Sequence, residues 1–296
     1  MLSSCVRLLD RSLAEFDRSL SSWHVLQLAD AAADPHSCGP RLLSLLDPAT
    51  YHFEAKKLLT AFMPDSRAWL HTEVDQWFHN QSQRQSQGQN LEQRLFWLRA
   101  GAGMGKSVFT ASLLARMKRE YGARVLGCVF FSFNYVRKAD PLVMLRSLVY
   151  QLALAQPTLG EFILQAVSDT ARETQKVMLL FEEVLLAALL KLEADSGGAA
   201  QMPTMPTMLI MVDALGEAGA EGSKSRWALL DLFSTKLIRQ LPPWVKLFVT
   251  GHRGGHRGAP GKFLSRDRRA RSSPPAGLGG LRFVQHRASV GLWTGC

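Results

Sequence analysis

Residues 95–117 read LFWLRAGAGMGKSVFTASLLARM, with Gly101, Gly103 and Gly105 packed into five positions and followed at once by Lys106 and Ser107. Glycine weakens helices and strands alike, because it loses the most backbone freedom on folding. Its company here gives it a purpose. Leu95–Leu98 is a short bulky apolar run, the mark of a strand buried on both faces. Beyond Ser107, the residues Phe109, Leu113, Leu114 and Met117 recur at helical spacing, with Lys118 and Arg119 towards the end. The glycines therefore sit on a turn from strand to helix. Such a turn aims backbone N–H groups and the positive end of a helix dipole at one spot, which favours an anion. Lys106 adds a point charge able to reach the outer phosphates of a nucleotide, and Ser107 offers a hydroxyl to a magnesium ion. The stretch fits G-x-x-x-x-G-K-[ST], the P-loop pattern, with Ala100 in place of the first glycine. It assigns Ala100, Gly101, Ala102, Gly103, Met104, Gly105, Lys106, Ser107 and Val108 to phosphate binding. A dinucleotide fingerprint fails, since Lys106 stands where its third glycine would fall.

A phosphate loop needs an acid at the end of an apolar strand to hold the metal ion. Leu209-Ile210-Met211-Val212 leads to Asp213, which pairs with Ser107 as the expected magnesium ligand. Glu217, four positions on, is either the carboxylate that polarises an attacking water or a solvated loop charge.

Working outward, strands and helices alternate from Leu91: a strand at 94–99, another at 123–133, a helix at 140–153 opened by Asp140 and Pro141, two helices within 159–195, a buried strand at 207–215, a helix at 224–241 closed by Pro242-Pro243, and a strand at 244–251. Alternation of this kind implies a mostly parallel sheet with helices on both faces. Upstream, Leu8, Leu9, Leu13, Phe16 and Leu20 have helical spacing, DPHSCGP ends a helical stretch, and residues 53–79 continue as amphipathic helices. QSQRQSQGQN, 81–90, is polar and reads as an exposed loop. After Gly251 the chain turns to Gly, Pro, Ser and Arg without periodicity, a composition expected to be disordered.

At 296 residues and 47% hydrophobic, the chain can bury a sizeable core. The net charge of +10 is unevenly spread: from Gly251 on there are nine Lys or Arg against Asp267 alone, a net +8, leaving +2 for residues 1–250. Cys5, Cys38, Cys128 and Cys296 form no C-x-x-C pair, which argues against a disulfide framework or zinc site and fits a reducing, cytoplasmic setting. The first twenty residues carry charges every few positions, unlike a secretory signal. The greasiest stretch, VMLLFEEVLLAALL from Val177, contains Glu182 and Glu183 and is too short for a membrane span. His71-Thr72-Glu73 has no P-C-x-x-C after it, and His36 with Cys38 lacks further ligands.

Taken together, FWLRAGAGMGKSVFTASL, FFSFNYVRKADPLVMLRSLVYQLA (130–153), LIMVDALGEAG and LPPWVKLFVTG resemble the NACHT-type branch of the signal-transduction (STAND) ATPases, and are similar to the nephrocystin-like and WD-repeat-associated NACHT modules. The resemblance runs over roughly 65–251. It implies a P-loop NTPase core (65–251), preceded by a helical segment (1–64) and followed by the basic tail (252–296). It also implies a switch that binds ATP or ADP with Mg²⁺, hydrolyses weakly or not at all, and acts through protein partners or self-association. SRAWL, 66–70, is similar to a G-R-x-W-L segment near the base, with Arg67 as its arginine; an exposed helix arginine is the plainer reading. Two departures point to weak turnover. The family's second acid in D-A-L-D-E is Gly216 here, and the arginine of its T-S-R-P is His252, with Arg253 one place late. The fifth strand, helical lid and winged helix that the resemblance implies are not legible after Gly251. The competing expectation is a basic scaffold whose arginine tail binds nucleic acid or acidic surfaces; steep salt dependence would mark it.

Overall fold

The computed structural model describes residues 38–63, 66–79, 94–169, 176–196, 205–219, 224–233 and 237–252. The early helix at Leu8–Leu20, the polar loop 81–90 and the disordered tail expected beyond His252 lie outside them. Among the described residues the chain is α/β, with four parallel strands in the order β1 (Leu95–Ala100), β4 (Val245–His252), β3 (Met208–Asp213) and β2 (Val125–Phe130). Because all four run the same way, the ends of β1, β2, β3 and β4 open on one edge of the sheet, where ligands bind in open α/β folds.

Among the described residues, three helices precede the sheet: α1 (Cys38–Leu46), α2 (His52–Leu59) and α3 (Ala68–His79). Gly39 and Pro40 sit in the first turn of α1, a place that tolerates proline because its missing N–H has no intrahelical partner. α4 (Lys106–Tyr121) follows β1. With α3 it covers one face, where Phe96 and Phe248, paired in register, stack at 5.6 Å and meet Trp77 of α3 and Phe109 of α4. The other face carries α5 (Val136–Ala139) and, after the extended Asp140, α6 (Pro141–Ala155), then α7 (Gly160–Asp169) and α8 (Val177–Leu179), which runs through a π-helical stretch, Leu180–Leu186, into α9 (Ala187–Ser196). Leu148, Leu152, Leu185 and Leu189 close over Leu126, Gly127 and Ile210 there. A Cβ on Gly127 would come within 2.9 Å of Leu148, so glycine sets how closely α6 packs on the sheet. α10 (Lys224–Asp231) and α11 (Leu237–Gln240) precede β4.

Several expected boundaries move. Asp140 caps α6 as its sequence implies, accepting the Leu142 N–H at 2.8 Å. The strand expected over 123–133 stops at Phe130, because its neighbour β3 stops opposite it at Asp213. Residues 131–135 turn away instead. Of the helix expected at 224–241, the described parts Lys224–Asp231 and Leu237–Gln240 are helical, and 234–236 lie outside the described residues. Two buried cations brace the core through backbone carbonyls. Lys246 donates to Trp77 O and Phe78 O at the end of α3. Arg94 donates to Leu241 O at 2.6 Å and Pro242 O at 3.0 Å, and burial lowers its pKa to about 10. No helix among the described residues is long and apolar enough to cross a membrane.

Candidate functional site

The glycine loop between β1 and α4 keeps Gly103 (φ 71°) and Gly105 (φ 68°) in the left-handed region, which residues with a Cβ enter at a cost. This curls residues 101–105 over the first turn of α4. Lys106, the first residue of that helix and 9% exposed, turns back so that Nζ donates to Ala100 O (3.1 Å) and Gly101 O (2.8 Å). Burial lowers its pKa, while the nearby Asp213 and Glu217 carboxylates oppose the shift. Gly101, Ala102, Gly103 and Met104 are exposed, and Ser107 and Val108 are half-buried at the start of the helix.

β3 brings Asp213 to the same place. Its carboxylate is 1% exposed, and burial raises its pKa. The Ser107, Thr250 and Thr110 hydroxyls beside it and the charge of Lys106 hold the shift back. Thr250 Oγ1 donates to Asp213 Oδ1 at 2.6 Å and accepts the Ala214 N–H at 2.9 Å; Thr110 Oγ1 lies 2.9 Å from the same Oδ1. The next residue, Ala214, has φ 55°, a strained value for alanine. It throws the chain into a short 3₁₀ turn, Leu215–Glu217. Glu217 is half-buried, and its Oε2 accepts the Phe133 N–H at 3.3 Å.

Lys106, Ser107 and Asp213, named separately from the sequence, thus converge, with Glu217 close enough for its charge to act on Lys106. Thr110 and Thr250 were missed. Thr110 had a faint signal, a hydroxyl on the helix face of Phe109 and Leu113, one turn after Lys106. Thr250 had none, since only strand order puts β4 beside β3. The backbone of His252 pairs with Ala100 at the end of β4.

Arg67 lies just before α3 and reaches the glycine loop from outside. Nη1 donates to Gly105 O and Nη2 to Met104 O, both at 2.5 Å, and burial lowers its pKa. It clamps the loop's carbonyls. A Cβ on Gly105 would lie 2.7 Å from Arg67 Nη2. Gly105→Ala is therefore expected to lower stability by about 1–2 kcal/mol in a urea titration, from left-handed strain and the collision together. The loss should be smaller in an Arg67→Ala background, where only the strain remains.

One turn along α3, His71 Nε2 lies 3.1 Å from Ser112 Oγ, and its ring packs on Phe62 and Phe109. Burial pushes its pKa from 6.5 down to about 4, with the charges of Arg116 and Arg67 adding to the shift. The folded chain thus keeps His71 neutral where the unfolded chain binds a proton. The stability it contributes is complete above pH 6.5 and is lost as pH falls from there towards 4. Allowing for the ring's remaining solvent contact, the loss between pH 7.5 and 4.5 is expected at about 2 kcal/mol. Denaturant titrations across that range check it, and His71→Gln should flatten the dependence.

Chemically, the sheet edge presents a cradle of backbone and one buried ammonium beside a hydroxyl and a buried acid. No group of three or more His, Cys, Asp or Glu able to hold a metal by itself occurs among the described residues. A cation at Ser107 and Asp213 would need oxygens from a ligand as well.

Residues 73–252 match the family described as nephrocystin 3, N-terminal. No curated protein and no solved structure matches the chain.

Proposed function

The chain belongs to the nephrocystin 3 N-terminal family, and we propose that within it this chain is a magnesium-dependent ATP- or ADP-binding switch of the NACHT type, whose task is binding more than turnover. One observation carries the reading: β3 brings the buried Asp213 carboxylate to the turn after β1, where the Ser107 hydroxyl and the charge of the buried Lys106 both act on it. Phosphate oxygens have donors in the loop N–H groups and Lys106. A divalent cation has Ser107 and Asp213, and the fit is chemical: hard oxygen donors, too few to hold a metal without phosphate oxygens. The ion's contribution is to neutralise charge on those oxygens. Arg67 holds the loop in shape from behind, and Thr250 and Thr110 keep the Asp213 carboxylate oriented.

The test is direct. The purified chain is denatured and its supernatant resolved by chromatography for ADP or ATP, then fluorescent ADP is titrated with and without Mg²⁺. Retained or magnesium-dependent nucleotide supports the proposal. Absence of both ends it.

A further inference from the structure

The loop after β2 is tied at both ends. At the site, Phe133 N–H donates to Glu217, Phe131 N–H to Asp213 O at 3.1 Å, and Gly219 N–H to Ala139 O at 2.5 Å. Residues 131–139 and the acid turn 213–219 are thus stitched together on both sides of Glu217. Internally, Lys138 N–H and Ala139 N–H both donate to Tyr135 O, and Tyr135 N–H to Ser132 O. The segment is therefore suited to move as a unit. At the far end, Lys138 pairs with Glu54 of α2, and Arg137 pairs with Asp47, just after α1, at 2.7 Å. Of the two, Lys138–Glu54 matters more. Its side chains are 15% and 26% exposed, against 55% and 66% for Arg137–Asp47, so it is less screened. Glu54 Oε2 is buried with no hydrogen-bond partner among the described residues, which leaves the carboxylate dependent on Lys138. The ammonium also lies over the Tyr135 ring at 5.2 Å.

We propose that Lys138 and Glu54 are positioning residues for the acid turn: through residues 131–139 they couple Glu217 to the N-terminal helices, which makes those helices the regulatory end of the site. Coupling between two sites is reciprocal. What holds Glu217 from α2 also reports the state of Glu217 to α2. The mechanical link stands on the contacts themselves, and its use as a regulator rests on the nucleotide reading above.

Hydrogen–deuterium exchange on the full chain separates the two. Without nucleotide, Lys138→Met and Glu54→Gln are each expected to speed exchange about tenfold in 131–139 and also in 214–219, leaving the β1 amides 95–100 unchanged. Lys138→Arg should stay within about twofold of the parent, and the swap Glu54→Lys with Lys138→Glu should restore protection. Faster exchange in 131–139 with 214–219 unmoved overturns the proposal, as does no change in either. Acceleration that spreads to 95–100 also overturns it, for Lys138 then only supports the fold. With ADP and Mg²⁺, the parent should slow in 214–219 and in 52–59, and Lys138→Met in 214–219 alone. A response at 214–219 that never reaches 52–59 removes the regulatory role. If ADP changes nothing anywhere, the nucleotide reading falls, and the nucleotide-free comparison still decides the link.

Discussion

Lys106→Ala is expected to weaken ATP binding by roughly 2–4 kcal/mol, about thirty- to a thousandfold, in calorimetric titration beside the parent. The size follows from where the ammonium sits. It is 9% exposed, held on Ala100 O and Gly101 O, and the Asp213 and Glu217 charges oppose the effect of its desolvation. A charge already stripped of water and fixed at the loop loses little on meeting phosphate oxygens, so most of the contact reaches the affinity. An exposed lysine on a flexible stem would contribute far less. Removing it also leaves the buried Asp213 with hydroxyl partners alone, so the unfolding midpoint is measured alongside. Equal affinities for parent and variant, both folded, would falsify the nucleotide assignment.

Phosphate release under saturating ATP and Mg²⁺ is expected well below about one per second, under the usual range for enzymes. Glu217→Gln should change it little. Glu217 is the sole acid on a turn whose neighbour is the exposed Gly216, and its carboxylate is engaged by the Phe133 N–H. At the end of β4, the place where the NACHT resemblance calls for arginine holds His252. Histidine near neutral pH is mostly uncharged and lacks the planar fork of a guanidinium. A positioned arginine in phosphoryl transfer contributes on the order of a thousandfold in rate. His252→Arg is the complementary measurement, expected to raise release if position 252 faces the phosphates. Turnover near one per second, abolished by Glu217→Gln, would establish a working hydrolase and overturn the account of a binding switch.

The strand, the glycine loop, the helix beginning at Lys106 and the apolar strand ending in Asp213 were legible in the sequence because each is written in neighbouring residues. Periodicity identifies a buried strand or an amphipathic helix within a dozen positions, and Gly103 and Gly105 stand where the backbone turns left-handed. The parallel class followed from the alternation of those elements. Tertiary structure decided the rest, because sheet pairing joins residues far apart in the chain. Placing β4 between β1 and β3 set Thr250 against Asp213, 37 positions away. Folding α3 over the loop turned Arg67 onto the Met104 and Gly105 carbonyls. Closing the edge of β2 beside Asp213 ended that strand at Phe130 and sent its loop to Glu217 and Glu54. None of these contacts leaves a local periodic trace. Each depends on which strands become neighbours, and that choice is made by burying faces across the whole chain.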